Sequence, residues 1–320
     1  MSQSPPNSSS HIWLVSYMKA NFFKRVRRFL LSNKSKQRSR TAMEVVEELD
    51  DQTHVEEDGS LVLQRSVKKL HFGRWEEKEM AAMDIRRIAR EDARARRLMG
   101  ELGVIPALVG MVASDDPVAG RDRLVAVKAL IELANGSFKN KELMLEAGIL
   151  SKVPRNIDIL EESTRIEFAE LVLQLSSLAN TMSPLNSLEI LPFLAGVLGS
   201  SSTLQAKESC LGALYNLSAV LENTGTLVSN GVVPSLLRLV QVKELSEKAL
   251  ATLGHLVVTL MGKKAMENSL VVPESLIEVL TWEDKPKCQE LSAYILMILA
   301  HQSSAQRKKN GELQDRPHAH

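Results

Sequence analysis

The chain contains few of the residues that mark other fold classes. Only 4% of its 320 residues are aromatic, which disfavours a β-sandwich, because sheets draw on aromatic and β-branched side chains. The two cysteines, Cys210 and Cys288, both lie within helical patterns, so we expect buried free thiols in a reducing compartment and neither a disulfide nor a zinc site. No apolar run is long enough to span a membrane. The formal net charge of +1 does not indicate nucleic acid as a partner.

Motifs for chemistry are also absent from the sequence. It has no glycine-rich phosphate loop, no nucleophile elbow and no Cys/His set with metal-ligand spacing. We therefore expect a protein that is not an enzyme, with no catalytic residues, no cofactor, no metal and no small-molecule substrate.

Charge is unevenly distributed at the N-terminus. Residues 11–40 contain no Asp or Glu but nine Lys or Arg, and on a helix Phe22, Val26, Phe29 and Leu30 share one side. This basic arm (1–40) fits an anionic membrane surface, a nuclear-import signal, an organellar transit peptide or a solvated tail. An acidic linker (41–60) follows it, and a polar tail (303–320) is predicted at the other end.

A repeated helical pattern occupies residues 61–302. In each copy two apolar residues flank one central position, which we call the slot, and successive slots are 39 to 45 residues apart. The slots, with their flanking pairs, are Arg87 (Ile85/Ile88), Glu132 (Leu130/Leu133), Gln174 (Val172/Leu175), Asn216 (Leu214/Leu217), His255 (Leu253/Leu256) and Met297 (Ile295/Ile298). Helical patterns repeating at about this period are typical of a solenoid.

A second marker keeps the same period. Gly-Val-Ile-Pro at 103–106 returns in related form at 148–151, 189–192, 231–234 and 270–273. Glycine can close one helix in the left-handed conformation, and proline is well placed in the first turn of the next. We therefore predict an all-α, right-handed α-solenoid of about six repeats with a disordered charged arm.

The first repeat carries a cluster of arginines. We predict one long helix over 75–97, with Met80, Met83, Ile85, Ile88, Ala89 and Leu98 in its buried stripe. Arg86, Arg90 and Arg94 follow one another at four-residue spacing and form a predicted basic patch.

Four segments carry a resemblance to a known family: Ala81-Ala-Met-Asp-Ile-Arg-Arg-Ile-Ala89, the stretch 97–109, Ala126-Val-Lys-Ala-Leu-Ile-Glu-Leu-Ala134 and Ala213-Leu-Tyr-Asn-Leu-Ser218. They are similar to the armadillo (ARM) repeats of plant U-box ubiquitin ligases and of their relatives that lack the U-box. The resemblance implies three helices per repeat, the third lining a concave groove, with a slot asparagine that binds the backbone of an extended ligand. Only Asn216 keeps that amide, Gln174 is a longer one, and the other slots depart from the pattern.

The function implied is that of a non-catalytic scaffold or adaptor that binds a protein segment in the groove. Arg87 and Glu132 at one end and Met297 at the other predict a specific side-chain pattern, with an acidic ligand stretch near Arg87. The N-terminal 60 residues lack the pattern of a U-box, so we expect a recognition module in the ubiquitin pathway and no ligase activity. The alternative is a structural protein directed to a membrane or organelle by residues 11–40, otherwise located in the cytoplasm or nucleus.

Overall fold

A computed structural model describes residues 59–112, 120–179, 187–269 and 272–314, together with Lys24, Val26, Arg28 and Phe29. The rest of the predicted arm, most of the acidic linker and the end of the polar tail lie outside the described residues. All regular secondary structure in the described part is helical. The chain divides into two compact units, an N-terminal unit (1–148) and a C-terminal unit (149–320).

Of the helices described in the N-terminal unit, two belong to the first repeat, three to the second and one to the third. Its described helices are α1 (Gly59–Phe72), α2 (Trp75–Glu91), α3 (Ala93–Glu101), α4 (Val104–Val112), α5 (Gly120–Ala134) and α6 (Phe138–Glu146). The third helices of its repeats are α2 and α5, which pack side by side.

The C-terminal unit continues the same order. After a short 3₁₀ helix (Ile149–Lys152), its described helices are α7 (Glu162–Ser176), α8 (Ser187–Gly199), α9 (Leu204–Ser218), α10 (Leu221–Ser229), α11 (Val232–Val240), α12 (Lys243–Val257), α13 (Leu260–Glu267), α14 (Val272–Leu280) and α15 (Pro286–Gln314). The third helices α7, α9, α12 and α15 form a row, each packed against the next. The all-helical repeat architecture predicted from the sequence is confirmed.

The glycine positions explain how the short helices join. Gly103, Gly148 and Gly231 have φ values of 70°, 80° and 72°, the left-handed conformation that side chains with a Cβ adopt only with strain. Each is followed at once by the next helix, as predicted. Proline is not always in the first turn, because α8 begins at Ser187 and Pro192 therefore lies inside it.

The core is built from the apolar pairs that flank the slots. Eleven of these twelve residues are at most 9% exposed, and only Ile298 is half-buried. The two members of a pair are three residues apart, so they share one helix face and face the neighbouring helices together. Phe168 and Phe193 add an edge-to-face contact between α7 and α8, with ring centroids 6.3 Å apart.

Polar side chains donate to backbone carbonyl groups of several third helices, directly after the slot. Asn140 Nδ2 donates to Leu133 O at 2.9 Å, and Asn223 Nδ2 donates to Leu217 O at 3.1 Å. In the last repeat Lys263 Nζ donates to Ile298 O at 3.0 Å. The acceptor follows the slot directly in all three cases, so this bond explains why Asn140 and Lys263 are buried.

Two local predictions were wrong. The long helix predicted over 75–97 is interrupted at Asp92, whose side chain accepts from Arg94 N and begins α3. Met80 and Met83 are 50% and 49% exposed, whereas the predicted Ile85, Ile88 and Ala89 are buried together with Ala81 and Ala82. The final helix continues to Gln314, into the predicted polar tail.

Candidate functional site

The six slots lie at equivalent places on the third helices. Glu132, Gln174, Asn216 and His255 are each the third residue from the end of their helix, and Arg87 and Met297 lie in α2 and α15. Arg87 and Met297 are exposed and the other four are half-buried, so none points into the core. The burial of the flanking pairs holds each slot at the helix surface.

In the N-terminal unit the slots border a basic recess of about 370 Å³ between α2 and α5. It is lined by Met83, Arg86, Arg87, Arg90, Glu91, Val125 and Lys128. On α2 these side chains come from both sides of the slot, and on α5 they precede it by four and seven residues. The helical spacing of these residues places their side chains on the sides of α2 and α5 that face one opening.

The carboxylate of Glu132 contacts two arginines of the preceding third helix, α2. Its Oε1 accepts from Arg90 Nη2 at 2.7 Å and from Arg90 Nε at 3.0 Å. Arg86 Nε is buried and lies 3.9 Å from the same oxygen, too far for a hydrogen bond, and it makes none within the described structure. Arg87 Nη1 is 4.0 Å from Glu91 Oε2 at the rim, where both side chains are largely exposed.

Two of the three residues of the predicted basic patch lie at the recess. Arg86 and Arg90 line the recess, but Arg94 does not. Arg94 belongs to α3, because Asp92 ends α2 after Glu91 and turns the chain. Lys128 and Arg87 take part in its place, one from the neighbouring helix and one from a slot.

In the C-terminal unit a serine lies behind each of two consecutive slots. Asn216 Nδ2 donates to Ser176 Oγ at 2.9 Å, and His255 Nδ1 is 2.9 Å from Ser218 Oγ. Each serine is two residues beyond the slot of its own helix. Each also donates its hydroxyl hydrogen to a carbonyl three residues earlier, Ser176 to Leu173 O and Ser218 to Tyr215 O.

These bonds fix what the two slots present to solvent. Because a serine hydroxyl has a single hydrogen, already given to the backbone, its oxygen accepts from the slot residue. Nδ1 of His255 therefore carries a hydrogen, so that in the neutral ring Nε2 is an acceptor, and Asn216 keeps Oδ1 as an acceptor. The rings of Tyr215 and His255 lie 4.7 Å apart, which further restricts the imidazole.

The two outer slots of this unit differ. Gln174 Nε2 donates to Glu170 Oε1 at 2.9 Å within α7, and Ser209 Oγ of α9 donates to Glu170 Oε2 at 3.3 Å. Met297 is 60% exposed, and Tyr294, one turn earlier, is 40% exposed. Along the third helices of this unit, the exposed groups therefore change from amide and carboxylate groups on α7 to apolar side chains on α15.

The part of the arm that is described lies against the first repeat. Lys24, Val26, Arg28 and Phe29 are helical, Val26 is 3% exposed, and Gln64 Nε2 donates to Phe29 O at 3.0 Å. Lys24 and Arg28 are exposed, as the amphipathic pattern predicts for these residues. Among the helices that the structure describes, none combines the length and hydrophobicity needed to cross a bilayer.

Several site residues were not singled out from the sequence. Lys128 and Val125 lie four and seven residues before a slot, and Ser176 and Ser218 lie two after one. From these offsets alone the four residues could have been placed near the slots, but their contacts could not have been identified. Their partners belong to neighbouring repeats, about 40 residues away in the chain.

Comparison with known proteins identifies relatives of the repeats. The chain is 31% identical over 228 residues to the Arabidopsis thaliana U-box domain-containing protein 45. The aligned region covers 68% of this chain and 28% of the relative. It is 33% identical over 185 residues to U-box domain-containing protein 7 of the same plant, 56% of this chain and 23% of that protein. The chain therefore spans less than a third of the curated relatives it matches. No protein-family model matches it.

Solved structures with the same fold include designed armadillo repeat proteins. One superposes with a TM-score of 0.62 at 18% identity, over 74% of this chain and 99% of the designed chain. Another, in complex with the peptide (KR)4, has a TM-score of 0.60 at 17% identity, over 74% and 99% of the two chains. The chain has the armadillo fold, and its sequence is similar to plant U-box proteins.

Proposed function

We propose that this armadillo-repeat chain binds an extended segment of a partner protein along the exposed side of its third helices. The observation that carries the proposal is the pair of serine-backed slots in the C-terminal unit. Asn216 and His255 are half-buried, held from behind by Ser176 and Ser218, and one repeat apart. Side chains held in advance lose little freedom when a ligand arrives.

The chemistry of these two slots suits a peptide backbone. Asn216 offers Oδ1 and a second N–H, and His255 offers Nε2, so both can accept from a ligand N–H. The exposed Tyr294 and Met297 in the last repeat can contact an apolar side chain of the same segment. The fold is shared with a designed protein in complex with a peptide, which supports this mode of binding.

The N-terminal unit favours a ligand of negative charge. The designed neighbour is in complex with a basic peptide, whereas the recess between α2 and α5 carries Arg86, Arg87, Arg90 and Lys128. Cationic side chains that reach solvent attract carboxylates and steer their approach. We therefore propose that the part of the ligand near Arg87 is acidic.

The experiment selects peptides that bind the purified full chain from a random display library, then measures their affinity by calorimetry. Asn216→Ala and His255→Ala should each weaken binding about fivefold, the effect of one lost hydrogen bond of about 1 kcal/mol. Asn230→Ala is the matched control, because this exposed asparagine directly follows α10 and its side chain donates to Thr226 O of that helix. If selected peptides bind all three variants as tightly as the parent protein, the proposal is wrong.

We further propose that these repeats act as a binding module in the ubiquitin pathway and do not catalyse a reaction. The support is the similarity to proteins whose names include the U-box domain, together with the armadillo fold. Incubated with ubiquitin, an activating enzyme and a conjugating enzyme, the chain should form no ubiquitin conjugates by itself. Conjugates that depend on this chain alone would contradict a purely binding role.

A further inference from the structure

We infer that the C-terminal unit selects an acidic side chain on the partner segment next to the slot Asn216, and that Lys248 is the residue that pairs with it. The inference rests on the proposed function, because it concerns the same segment and the same third helices. It goes further by naming the class of side chain that is bound and the residue that determines this specificity.

The glycine one turn before the slot of α9 lets Lys248 reach that helix. Gly212 lies four residues before Asn216, so the two residues are neighbours on the surface of α9. A Cβ built on Gly212 would lie 3.6 Å from Lys248 Nζ of α12 and 2.9 Å from Leu173 Cδ1 of α7. Because glycine has no side chain, the ammonium group can lie close to the backbone of α9. It is thereby placed about one helical turn from Asn216.

The preceding pair of third helices shows what is missing at Lys248. There Glu170 Oε2 of α7 accepts from Ser209 Oγ of α9 at 3.3 Å. These two residues lie four and seven residues before their slots, and Gly212 and Lys248 hold the same two positions in the next pair of helices. Glycine supplies no carboxylate to the residue opposite. Lys248 therefore receives no side-chain acceptor from the position that supplies one in α7.

The carboxylates on nearby positions do not neutralise Lys248. Glu247 accepts from Lys287 Nζ at 3.3 Å. The exposed Glu208 of α9 and Glu244 of α12 make no ion pair with Lys248. Within the described part of the chain, the Lys248 side chain has neither a hydrogen bond nor an ion pair, and it is exposed to solvent. A carboxylate on a ligand can therefore approach it.

A lysine at this place favours Asp or Glu in the ligand. Its ammonium group is a compact charge with three donors, so it can pair with a carboxylate in more than one geometry. Like charges brought together across an interface oppose binding, so Lys or Arg at the same ligand position should be rejected. The side chain that contacts Lys248 should belong to a residue close to those whose backbone is bound by Asn216 and His255.

The test uses the full chain and peptides selected on it from a random display library. The peptides that are kept are those whose calorimetric affinity falls with Asn216→Ala. One residue of such a peptide should be Asp or Glu, and its change to Asn or Gln should weaken binding about threefold to fivefold, as expected for one partly exposed ion pair. For Lys248→Gln the same change in the peptide should have no effect, because the pair is already lost.

A second selection tests the specificity directly. Peptides selected on Lys248→Glu should carry Lys or Arg at the position where the parent protein selects Asp or Glu. Lys248→Arg keeps the charge and should keep the acidic preference. Lys264→Glu is the matched control, because Lys264 is also exposed but belongs to α13, a first helix, and it should select the same peptides as the parent protein.

The outcomes separate this inference from the proposed function. If peptides that depend on Asn216 bind Lys248→Gln as tightly as the parent protein and show no coupled acidic position, the role of Lys248 is wrong and the proposed peptide binding stands. If the acidic preference survives Lys248→Glu but is lost in Arg87→Gln, it belongs to the N-terminal unit and the inference is again wrong. Far-UV circular dichroism of each variant separates lost binding from lost folding.

Discussion

Glu162, the first residue of α7, makes a contact whose strength should depend on pH. Its Oε1 accepts from Thr203 N and from Thr203 Oγ1, both at 2.8 Å, and its Oε2 accepts from Arg165 Nη1 at 3.2 Å. Thr203 is the N-cap of α9. One carboxylate therefore connects the beginnings of two consecutive third helices and lies at the positive end of the α9 dipole.

The change Glu162→Gln should destabilise the C-terminal unit by about 1 kcal/mol at pH 7. Hydrogen bonds to a charged group contribute about 1.5–3 kcal/mol when they are buried. The side chain of Glu162 is 35% exposed, so solvent screening reduces that figure, and glutamine keeps one acceptor oxygen. In a unit of this size, a loss of about 1 kcal/mol lowers Tm by about 2–4 °C.

The pH dependence follows from the direction of the pKa shift. Burial alone raises the pKa of Glu162, but the bonds from Thr203 and the nearby Arg165 outweigh it and lower the pKa. A carboxylate with a lowered folded pKa stabilises the protein above its unfolded pKa, about 4.3, and loses that effect as the pH falls through the folded value. The difference between the parent protein and Glu162→Gln should therefore be complete at pH 7 and should decrease as the pH falls below about 4.3.

The assay is thermal unfolding followed by far-UV circular dichroism at pH 7, 5 and 3. Glu161→Gln is the control, because Glu161 is the exposed residue before Glu162 and its side chain makes no capping bond. A difference that is the same at pH 7 and pH 3, or as large in Glu161→Gln, would refute the reasoning.

Three further predictions concern other parts of the chain. Burial lowers the pKa of His71 despite the bond to Leu102 O. The N-terminal unit should therefore lose stability as the pH falls through about 6.5, because the unfolded chain binds the proton more readily. In urea unfolding between about pH 5 and 7.5, the free energy of unfolding of His71→Gln should depend less on pH than that of the parent protein. Burial raises the pKa of the Cys210 thiol, and Cys288 is equally buried, so a thiol reagent at pH 8 should label neither in the native protein and both in guanidinium chloride. Val26→Asp should destabilise the N-terminal unit by about 2 kcal/mol or more, whereas Lys24→Asp at an exposed position should not.

Much of the fold could be predicted because its signals are local. The apolar pairs around the slots are three residues apart, so one helix face is specified without knowledge of its neighbours. The glycines at 103, 148 and 231 close helices because of their own backbone freedom. The error at Asp92 was also local: aspartate can begin a helix as easily as it can lie on the surface of one, and periodicity does not separate the two cases.

The candidate site was less predictable, because its contacts join different repeats. Arg94 has the same four-residue spacing as Arg86 and Arg90, yet a helix break between residues 91 and 93 removes it from the recess. Lys128 joins the recess only because α5 packs on α2. No spacing within one helix reports such a neighbour.

The sequence by itself determined the repeat period, the helical class, the buried pairs and the position of the slots at the helix surface, since each copy of the pattern depends on residues within one or two turns of a helix. Only the tertiary structure decided what the slots contact. It set Glu132 against Arg90, and it put a serine behind Asn216 and another behind His255. Those contacts depend on how one third helix lies against the next, and that arrangement results from packing over about 40 residues of intervening chain.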